Sequence, residues 1–308
     1  MRFHNPEFSS WFAEFSMKND AENSTTDFWL SPFWRDRFSD RAEAWDKLFR
    51  WPGETVRKVK SRETVRIEAS GRRFYIKRHG GVGWMEILKD LVRLKRPVVG
   101  ARPEYESIGH MRTAGIRTLT PAGFGERGGN PARRQSFLIT EELEGWIKLS
   151  RIHEHWAKLQ QESLSSYRRS LIIEAAKTTR RMHEAGLNHR DYYLCHLLTP
   201  ARDCAGIERS NPPELLVVDL HRMQRRSSVP RRWKQKDLAA VLFSAAHWEV
   251  SRKEILCFIR HYTGVRSAAA ELRTNRRFWR TVLRKADRLY RRGGKGETLP
   301  LPQGKGRA

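Results

Sequence analysis

The stretch that decides the fold is His189-Arg190-Asp191-Tyr192-Tyr193-Leu194-Cys195-His196, which is followed further along the chain by Val217-Val218-Asp219. The first segment comes after a run of residues with helical spacing that ends at Gly186, so Asp191 is expected on a loop. Asp219 ends a short apolar run that predicts a strand. One carboxylate on a loop and one at a strand end are the pair that phosphoryl transfer needs, because one orients the acceptor hydroxyl and the other binds Mg²⁺.

Two charged residues precede this stretch in the order that the same chemistry requires. Lys77 ends the predicted strand Phe74-Tyr75-Ile76-Lys77, in the hydrophobic-x-hydrophobic-Lys form of a strand lysine that holds nucleotide phosphates. Glu104 lies on the helix predicted to follow, where a glutamate can pair with that lysine and fix its ammonium. Glu106 is the competing candidate. In so charged a chain both residues are also expected on the surface, so their order with the two aspartates is what gives them weight.

The order of predicted elements indicates the fold class. Short strands and two helices fill the first half, whereas long helices interrupted by a small strand pair fill the second. We therefore predict an α+β, bilobal protein-kinase-like fold with a small β-rich N-lobe and a larger, mainly helical C-lobe. The predicted boundaries are 1–45 for an aromatic-rich leader, 46–148 for the N-lobe, 149–292 for the C-lobe and 293–308 for a disordered basic tail.

The chain departs from the common protein-kinase pattern at three places. His196 stands where an Asn usually holds the second magnesium ion, and Leu220-His221 replaces Phe-Gly after Asp219. The turn between the first two strands, residues 59–63, has no GxGxxG; Lys60 or Arg62 there would supply charge in place of backbone amides. These departures leave the metal geometry open.

Four segments carry a resemblance to a known family. They are His189-Arg-Asp-Tyr-Tyr-Leu-Cys-His196, Val218-Asp-Leu-His-Arg-Met-Gln224, Val229-Pro-Arg-Arg-Trp-Lys-Gln-Lys-Asp-Leu238 and Phe124-Gly-Glu-Arg-Gly-Gly-Asn-Pro131. In this form and order they resemble the lipopolysaccharide core heptose(I) kinases of Gram-negative bacteria. The resemblance covers about residues 46–265 and leaves out the aromatic leader and the basic tail.

The resemblance implies ATP-dependent phosphorylation of the first heptose of the lipid A-linked inner core. It makes Asp191 the catalytic residue and places Lys77, Glu104 and Asp219 at the nucleotide. Asp219 and His196 become the expected Mg²⁺ ligands, and His196 belongs to the family's own pattern. The expected partners are the lipopolysaccharide acceptor, the inner-membrane surface and acyl carrier protein. The expected location is the cytoplasm, peripheral at the inner face of the inner membrane.

Charge and cysteine content narrow the classes of function. Lys and Arg total 60 against 35 Asp and Glu, a net charge of +25, so the partner is expected to be an anion. The three cysteines, Cys195, Cys204 and Cys257, show no CxxC spacing, which indicates neither a disulfide framework nor a zinc ribbon. Glu7 and Glu14 interrupt the N-terminal region where a signal peptide is apolar, so we expect no export.

Three amphipathic segments admit two interpretations each. Residues 84–96 and the helix predicted over Asn275 to Arg291 combine an apolar stripe with many cations. This pattern is typical both of a helix that packs on a basic protein and of a helix that contacts a membrane. The leader's Phe8, Trp11, Phe12 and Phe15 also have helical spacing; packing on the main domain and a membrane or partner contact both remain open.

The sequence leaves other functions open. Within the same enzyme class the acceptor would be 3-deoxy-manno-octulosonic acid or a protein side chain. A basic nucleic-acid-binding protein is the alternative from another class, but it has only the charge in its favour, because neither zinc-finger spacing nor an RNP pattern occurs. The grouping His183, His189, Cys195 and His196 matches no tetrahedral zinc motif.

Overall fold

Residues 26–92, 99–156, 161–202 and 213–293 are the part of the chain that the structure, a computed structural model, describes. The aromatic cluster at Phe8 to Phe15, Cys204 and the tail from residue 294 onward lie outside these ranges. Within them, helices and an antiparallel sheet form an α+β fold, as the sequence predicts.

The described ranges contain one large antiparallel sheet with the strand order β1-β5-β6-β4-β3-β2. Its strands are β1 (Thr26–Leu30), β2 (Glu54–Val59), β3 (Arg62–Ala69), β4 (Arg72–His79), β5 (Pro121–Arg127) and β6 (Gln135–Glu141). Tight turns join β2 to β3 at Lys60-Ser61 and β3 to β4 at Ser70-Gly71, and Lys60, Ser70 and Gly71 have positive φ there. Strand β4 is central, so Lys77 lies between Thr64 of β3 and Leu138 of β6.

Strand β1 shows that the second half of the expected leader is part of the sheet. It pairs with β5 over its whole length, from Thr26 opposite Arg127 to Leu30 opposite Gly123. The helices α1 (Pro32–Arg35) and α2 (Arg41–Arg50) follow it and bury Trp34 and Trp45 against the sheet. The aromatic residues of this part therefore build a core, because an aromatic strand and two short helices cover apolar sheet surface.

Two helices follow β4. Helix α3 (Trp84–Val92) begins after the glycine-rich turn, and α4 (Arg102–Thr113) begins with Pro103 in its first turn, where the missing proline N–H costs no hydrogen bond. Gly115 ends the second helix at a φ of +67°, a conformation that glycine adopts without strain. Ser107, Ile108 and Met111 face inward and bury α4 against the neighbouring elements.

The second half of the chain is mainly helical, as predicted. Its helices are α5 (His153–Trp156), α6 (Gln161–Glu184), α7 (Arg231–Ser244), α8 (Arg252–Thr263), α9 (Ala268–Thr274) and α10 (Arg276–Arg292). Helix α8 starts with the predicted capping box of Ser251 and Glu254 and stops at Gly264, whose φ is +74°. The short strands between them are β7 (Trp146–Lys148), β8 (Leu187–Asn188), β9 (Leu197–Pro200), β10 (Leu216–Val217) and β11 (Gln224–Arg225).

Two apolar cores lie on either side of the central strands. One joins the sheet to α1 and α2 around Phe74, Ile76 and Phe137. The other runs from α4 through Leu138 to the helical half, where Leu171 and Val217 lie. The continuous second core fixes the helical region against the sheet, and the candidate site lies where they meet. None of the helices in the described ranges is long and apolar enough to cross a membrane.

Candidate active site

Lys77 and Glu104 form an ion pair at the end of the sheet. The Nζ atom of Lys77 donates to Oε1 of Glu104 at 2.5 Å, and the glutamate side chain is almost wholly buried. Strand pairing on both sides holds Lys77, while the first turn of α4 presents Glu104. Of the two glutamates considered from the sequence, Glu104 is therefore the one that bonds to the strand lysine.

The segment after α4 ties this pair to the strand that precedes Asp219. The hydroxyl of Thr118 donates to the carbonyl of Val217 at 2.6 Å, and the N–H of Val217 donates to the carbonyl of Arg117 at 3.0 Å. Helix α4 also packs on the short 3₁₀ helix Leu220–Arg222. These contacts place Asp219 close enough to Lys77 for the ammonium to stabilise the carboxylate.

Asp219 has a strained backbone and a carboxylate held by imidazole groups. Its φ and ψ are 65° and 53°, in the left-handed region that a non-glycine residue seldom adopts. Nδ1 of His221 donates to Oδ1 at 2.5 Å. Burial favours the neutral acid, but the hydrogen bond and charge of His221 outweigh it and hold the pKa of Asp219 well below its usual range. Asp219 is thus an ionised carboxylate near the Lys77 ammonium.

His196 links the two aspartates. Its Nδ1 lies 2.7 Å from the backbone carbonyl of Asp191, and its Nε2 lies 3.3 Å from Oδ2 of Asp219. Because a carbonyl only accepts, Nδ1 carries a proton, and a neutral ring would then turn the Nε2 lone pair towards a carboxylate. Burial opposes a charge on the ring, but the Cys195 thiol and the Asp191 carbonyl raise the pKa of His196 to about 9.

This arrangement bears on the expected magnesium ligands. A positive species, either a proton or a metal ion, is needed between Nε2 of His196 and the carboxylate of Asp219. Mg²⁺ prefers oxygen ligands and keeps several waters or substrate phosphates, so one protein carboxylate is a common protein contribution. Within the described ranges, no group of three or more His, Cys, Asp or Glu side chains is arranged to hold a metal ion. Asp219 therefore fits Mg²⁺ better than His196 does.

Asp191 is surrounded by cations. Nη1 of Arg222 donates to Oδ2 of Asp191 at 2.8 Å, and the Nζ atom of Lys236 lies 3.9 Å from Oδ1. Burial lowers the pKa of Lys236, and the nearby charge of Arg222 lowers it further. Asp191 is consequently a partly buried, anchored carboxylate at the edge of a positive cluster. Arg222 and Lys236 each lie within a family-like segment, but the sequence assigned a role to neither of them.

A buried aspartate that sequence reasoning missed shapes the loop of Asp191. The carboxylate of Asp237, on α7, accepts the backbone N–H of His189 at 2.9 Å and that of Arg190 at 2.8 Å. Arg190 has a φ of +75°, a strained conformation for a non-glycine residue, and this double hydrogen bond stabilises it. Nε2 of His189 donates to the carbonyl of Val218 at 2.9 Å, which joins the loop to the residue before Asp219.

The signal for Asp237 was present in the sequence but not specific. It lies inside one of the family-like segments, Val229 to Leu238, but a single Asp among Lys and Arg residues reads as a surface charge. Only the folded structure shows that its carboxylate is fully buried beside His183.

The β2–β3 turn approaches the site from the sheet. The carbonyl of Ser61 accepts the N–H of Gly80 at 2.7 Å, so the turn lies beside the end of β4, three residues beyond Lys77. His79, between them, is buried, and burial together with the charges of Arg62 and Lys77 lowers its pKa to about 4. The turn thus lies beside the end of β4; that Lys60 or Arg62 in it supplies charge to the phosphates stays a prediction.

Comparison with known proteins shows which protein family the chain matches. The model of the lipopolysaccharide kinase (Kdo/WaaP) family matches residues 46–262. A curated relative from Pseudomonas aeruginosa, lipopolysaccharide core heptose(I) kinase WaaP, is 38% identical over 240 residues, which cover 78% of this chain and 87% of the relative. The WaaP protein of Escherichia coli K12 is 36% identical over 236 residues, covering 77% of this chain and 85% of the relative.

A solved structure is similar as well. It is described as WaaP in complex with acyl carrier protein, and it matches with a TM-score of 0.68 and 32% sequence identity. The match covers 86% of this chain and 99% of the solved chain. The kinase-like α+β fold predicted from the order of elements is confirmed by this likeness.

Proposed function

The chain belongs to the lipopolysaccharide kinase (Kdo/WaaP) family, and from that membership we propose that it transfers the γ-phosphate of ATP to the first heptose of the lipopolysaccharide inner core. Membership of a kinase family implies ATP use, and the curated relatives are named for the heptose(I) acceptor. The observation that carries the proposal is the convergence of the Lys77–Glu104 pair with Asp219 and, through His196, with Asp191. The cleft lies between the proposed lobes 46–148 and 149–292, the first of which is extended at its start by β1 and α1.

Asp191 is the proposed catalytic residue. Its carboxylate is fixed by Arg222 and lies on a loop whose backbone amides are held by Asp237, so its position is set before substrate arrives. In phosphoryl transfer the transition state is loose, and the aspartate chiefly orients the acceptor hydroxyl and accepts its proton late. Asp191 would orient the heptose hydroxyl in this way.

Lys77 is the proposed phosphate ligand. A strand lysine whose ammonium is held by a buried glutamate is positioned as a point charge, and little side-chain entropy remains to be lost when the nucleotide binds. Glu104 is the residue that orients it.

Asp219 is the proposed Mg²⁺ ligand, with His196 beside it. The bound ion would neutralise charge on the transferring phosphate. The low pKa of Asp219 keeps its carboxylate ionised, and the raised pKa of His196 keeps the neighbouring ring protonated at neutral pH.

The positive cluster around Asp191 favours an anionic acceptor. Arg222 donates a hydrogen bond to the aspartate, Lys236 forms a longer ion pair with it, and Arg190 lies close enough to repel the Lys236 ammonium. A sugar within an inner core that carries carboxylates would be drawn to these cations before its hydroxyl meets Asp191. This supports an acidic saccharide over a neutral one.

Acyl carrier protein is the proposed protein partner. In the similar solved structure the relative is in complex with that protein. In this chain the helical half contains an apolar cavity of about 320 Å³, lined by residues such as Leu171, Val241, Phe258 and Trp279, with Arg276 and Arg280 also at its wall. An acidic carrier with an apolar acyl chain matches both the arginines and the cavity. We place the protein at the cytoplasmic face of the inner membrane, where the acceptor is assembled.

The test is transfer of labelled phosphate from ATP and Mg²⁺ to purified core lipopolysaccharide that lacks the heptose phosphate. We expect incorporation by the wild-type protein and a loss of about 10²- to 10⁴-fold in Asp191→Asn. The matched control is Asp46→Asn, which removes an exposed carboxylate and should keep full activity. An acceptor that ends before the first heptose should take no phosphate.

Two outcomes would contradict the proposal. Full activity of Asp191→Asn would remove the aspartate from the chemistry. Phosphate incorporated into the acceptor without heptose would point instead to the 3-deoxy-manno-octulosonic acid residues.

A further inference from the structure

Helix α3 presents an uncovered apolar face. Met85 and Val92 are 82% exposed, Trp84 is 55% exposed and Leu88 is 52% exposed. In the part of the chain that the structure describes, seven large apolar side chains are exposed, and these four lie on this one short helix. Scattered exposed apolar residues are normal, but a contiguous group marks a surface that something else covers.

The four side chains form a single stripe. At about 100° per residue, positions 84, 85, 88 and 92 fall within an arc of about 100°. Ile87, at the side of that arc, is buried and anchors the helix to the protein. Lys89, on the opposite flank, is exposed. Among the described side chains of the helix, Ile87 is therefore the one that attaches it to the protein, and the four exposed apolar side chains face outward.

Strand β2 carries two further exposed apolar side chains. Val56 and Val59 of β2 are exposed, and the β2–β3 turn contacts Gly80, where the chain leaves the sheet towards α3. Arg57 and Lys58 on β2 are exposed too. With Lys89, they add positive charge to the exposed surface of this part of the protein, and the sequence continues after α3 with Arg93, Lys95 and Arg96. We call Trp84, Met85, Leu88 and Val92 the apolar patch.

We propose that the apolar patch inserts into an anionic phospholipid bilayer and so holds the catalytic cleft against the membrane surface, an inference that rests on the proposed function. An amphipathic helix with a tryptophan and a flank of cations is the form that lies in the lipid interface. Phosphate headgroups complement the cations, while the acyl boundary takes up the apolar stripe. A chain with a net charge of +25 is attracted to such a surface before insertion.

The position of α3 gives the insertion a consequence for catalysis. Six residues lie between Lys77 and Trp84, so the start of the patch is within about 25 Å of the strand lysine. A membrane contact at this place directs the mouth of the cleft towards a lipid-anchored sugar. The membrane-bound enzyme then encounters the acceptor by diffusion in the plane of the membrane, with its cleft at a fixed distance from the lipid surface.

The experiment measures binding to vesicles that contain phosphatidylglycerol and phosphatidylethanolamine. We expect Met85→Glu to weaken partitioning by about tenfold or more, because it removes an inserted side chain and adds a charge. Leu283→Glu, on α10, is the matched control: it replaces another exposed apolar residue with the same charge change and should bind as the wild type does. At about 1 M salt, where the Debye length is about 3 Å, the wild type should keep a fraction of binding that Met85→Glu lacks.

The results separate this proposal from the proposed function. Equal binding by Met85→Glu and Leu283→Glu, or no vesicle binding by the wild type, would overturn the membrane proposal and assign the patch to a protein. Phosphate transfer to detergent-dispersed acceptor should be unchanged in Met85→Glu. Absence of transfer in the wild type would refute the heptose kinase activity while the vesicle result still stood.

Discussion

Helices α3 and α10 look alike in sequence and differ in the folded protein. Both combine an apolar stripe with several cations. In α10, Val282 is 4% exposed and Ala286 is 0% exposed, because that stripe packs on α7. In α3 the corresponding stripe faces outward. Helical spacing therefore establishes that a face is apolar, but only the neighbouring elements decide what covers it.

The two helices differ in exposure because different elements surround them. Helix α10 returns onto α7 and α6, where Leu238, Ala239 and Ala176 complete a core, and its Trp279 indole donates to Glu271 at 3.0 Å. Helix α3 follows a glycine-rich turn at the end of a sheet, and among its described side chains only Ile87 is buried. One helix contributes to the stability of the fold, and the other is available to a partner.

The largest expected effect comes from charging each stripe. Ala286→Asp in α10 would bury an unpaired carboxylate and should cost about 3–5 kcal/mol of unfolding free energy. Met85→Asp in α3 should change it by less than about 0.5 kcal/mol. Urea denaturation of the two variants measures both values. A similar loss in both would mean that the α3 face is covered within the protein.

A smaller effect follows from pH at the strand that leads to α3. His79 is buried, and its pKa falls from 6.5 to about 4, so the folded state favours the neutral ring. The unfolded chain then binds more protons between these values, and stability is full above pH 6.5 and declines as the pH falls towards 4. At pH 5 this group alone should cost about 2 kcal/mol.

Denaturation of His79→Gln at pH 7 and pH 5 tests this expectation. The variant should lose less stability between the two values than the wild type does. The difference between the two losses is the contribution of His79, which ends the strand that leads to α3. Identical slopes for wild type and variant would exclude His79 as the cause.

Truncation at matched valines should give a still smaller difference. Val282→Ala removes two buried methyl groups and should cost about 1–2 kcal/mol. Val92→Ala changes an exposed side chain and should be neutral within about 0.5 kcal/mol. Thermal unfolding resolves the pair, since about 1 kcal/mol shifts the melting temperature by about 2–4 °C in a chain of this size.

The smallest effect concerns the exposed leucines. Leu88→Ala should leave stability within about 0.5 kcal/mol of the wild type while lowering vesicle binding by about tenfold. Leu283→Ala, on α10, should change vesicle binding by less than about twofold. Equal vesicle binding by the two variants would remove the functional difference between the helices.

The sequence predicted the main features of the fold because local signals and global fold agree there. Lys77, Glu104, Asp191 and Asp219 lie on elements with strong periodicity or turn signals, and the structure brings them to one cleft. Their catalytic roles remain predictions. Strand β1 was not foreseen, because an edge strand takes its register from pairing with β5, almost a hundred residues away.

The contacts inside the site were less predictable for a similar reason. That His196 bonds to Asp191 and faces Asp219 depends on two loops meeting, and no spacing rule encodes it. The same holds for Lys236, which the sequence presents as one of many lysines.

The carboxylate of Asp237 has a further consequence. It holds the amides of His189 and Arg190 and faces His183 of α6, whose ring in turn bonds to the hydroxyl of Tyr262 in α8. Three helices therefore have to dock before the loop of Asp191 acquires its shape. A chain whose helical region is only partly assembled should therefore have no activity rather than a reduced activity. During synthesis, catalytic activity should then appear in one cooperative step, when the helices have docked.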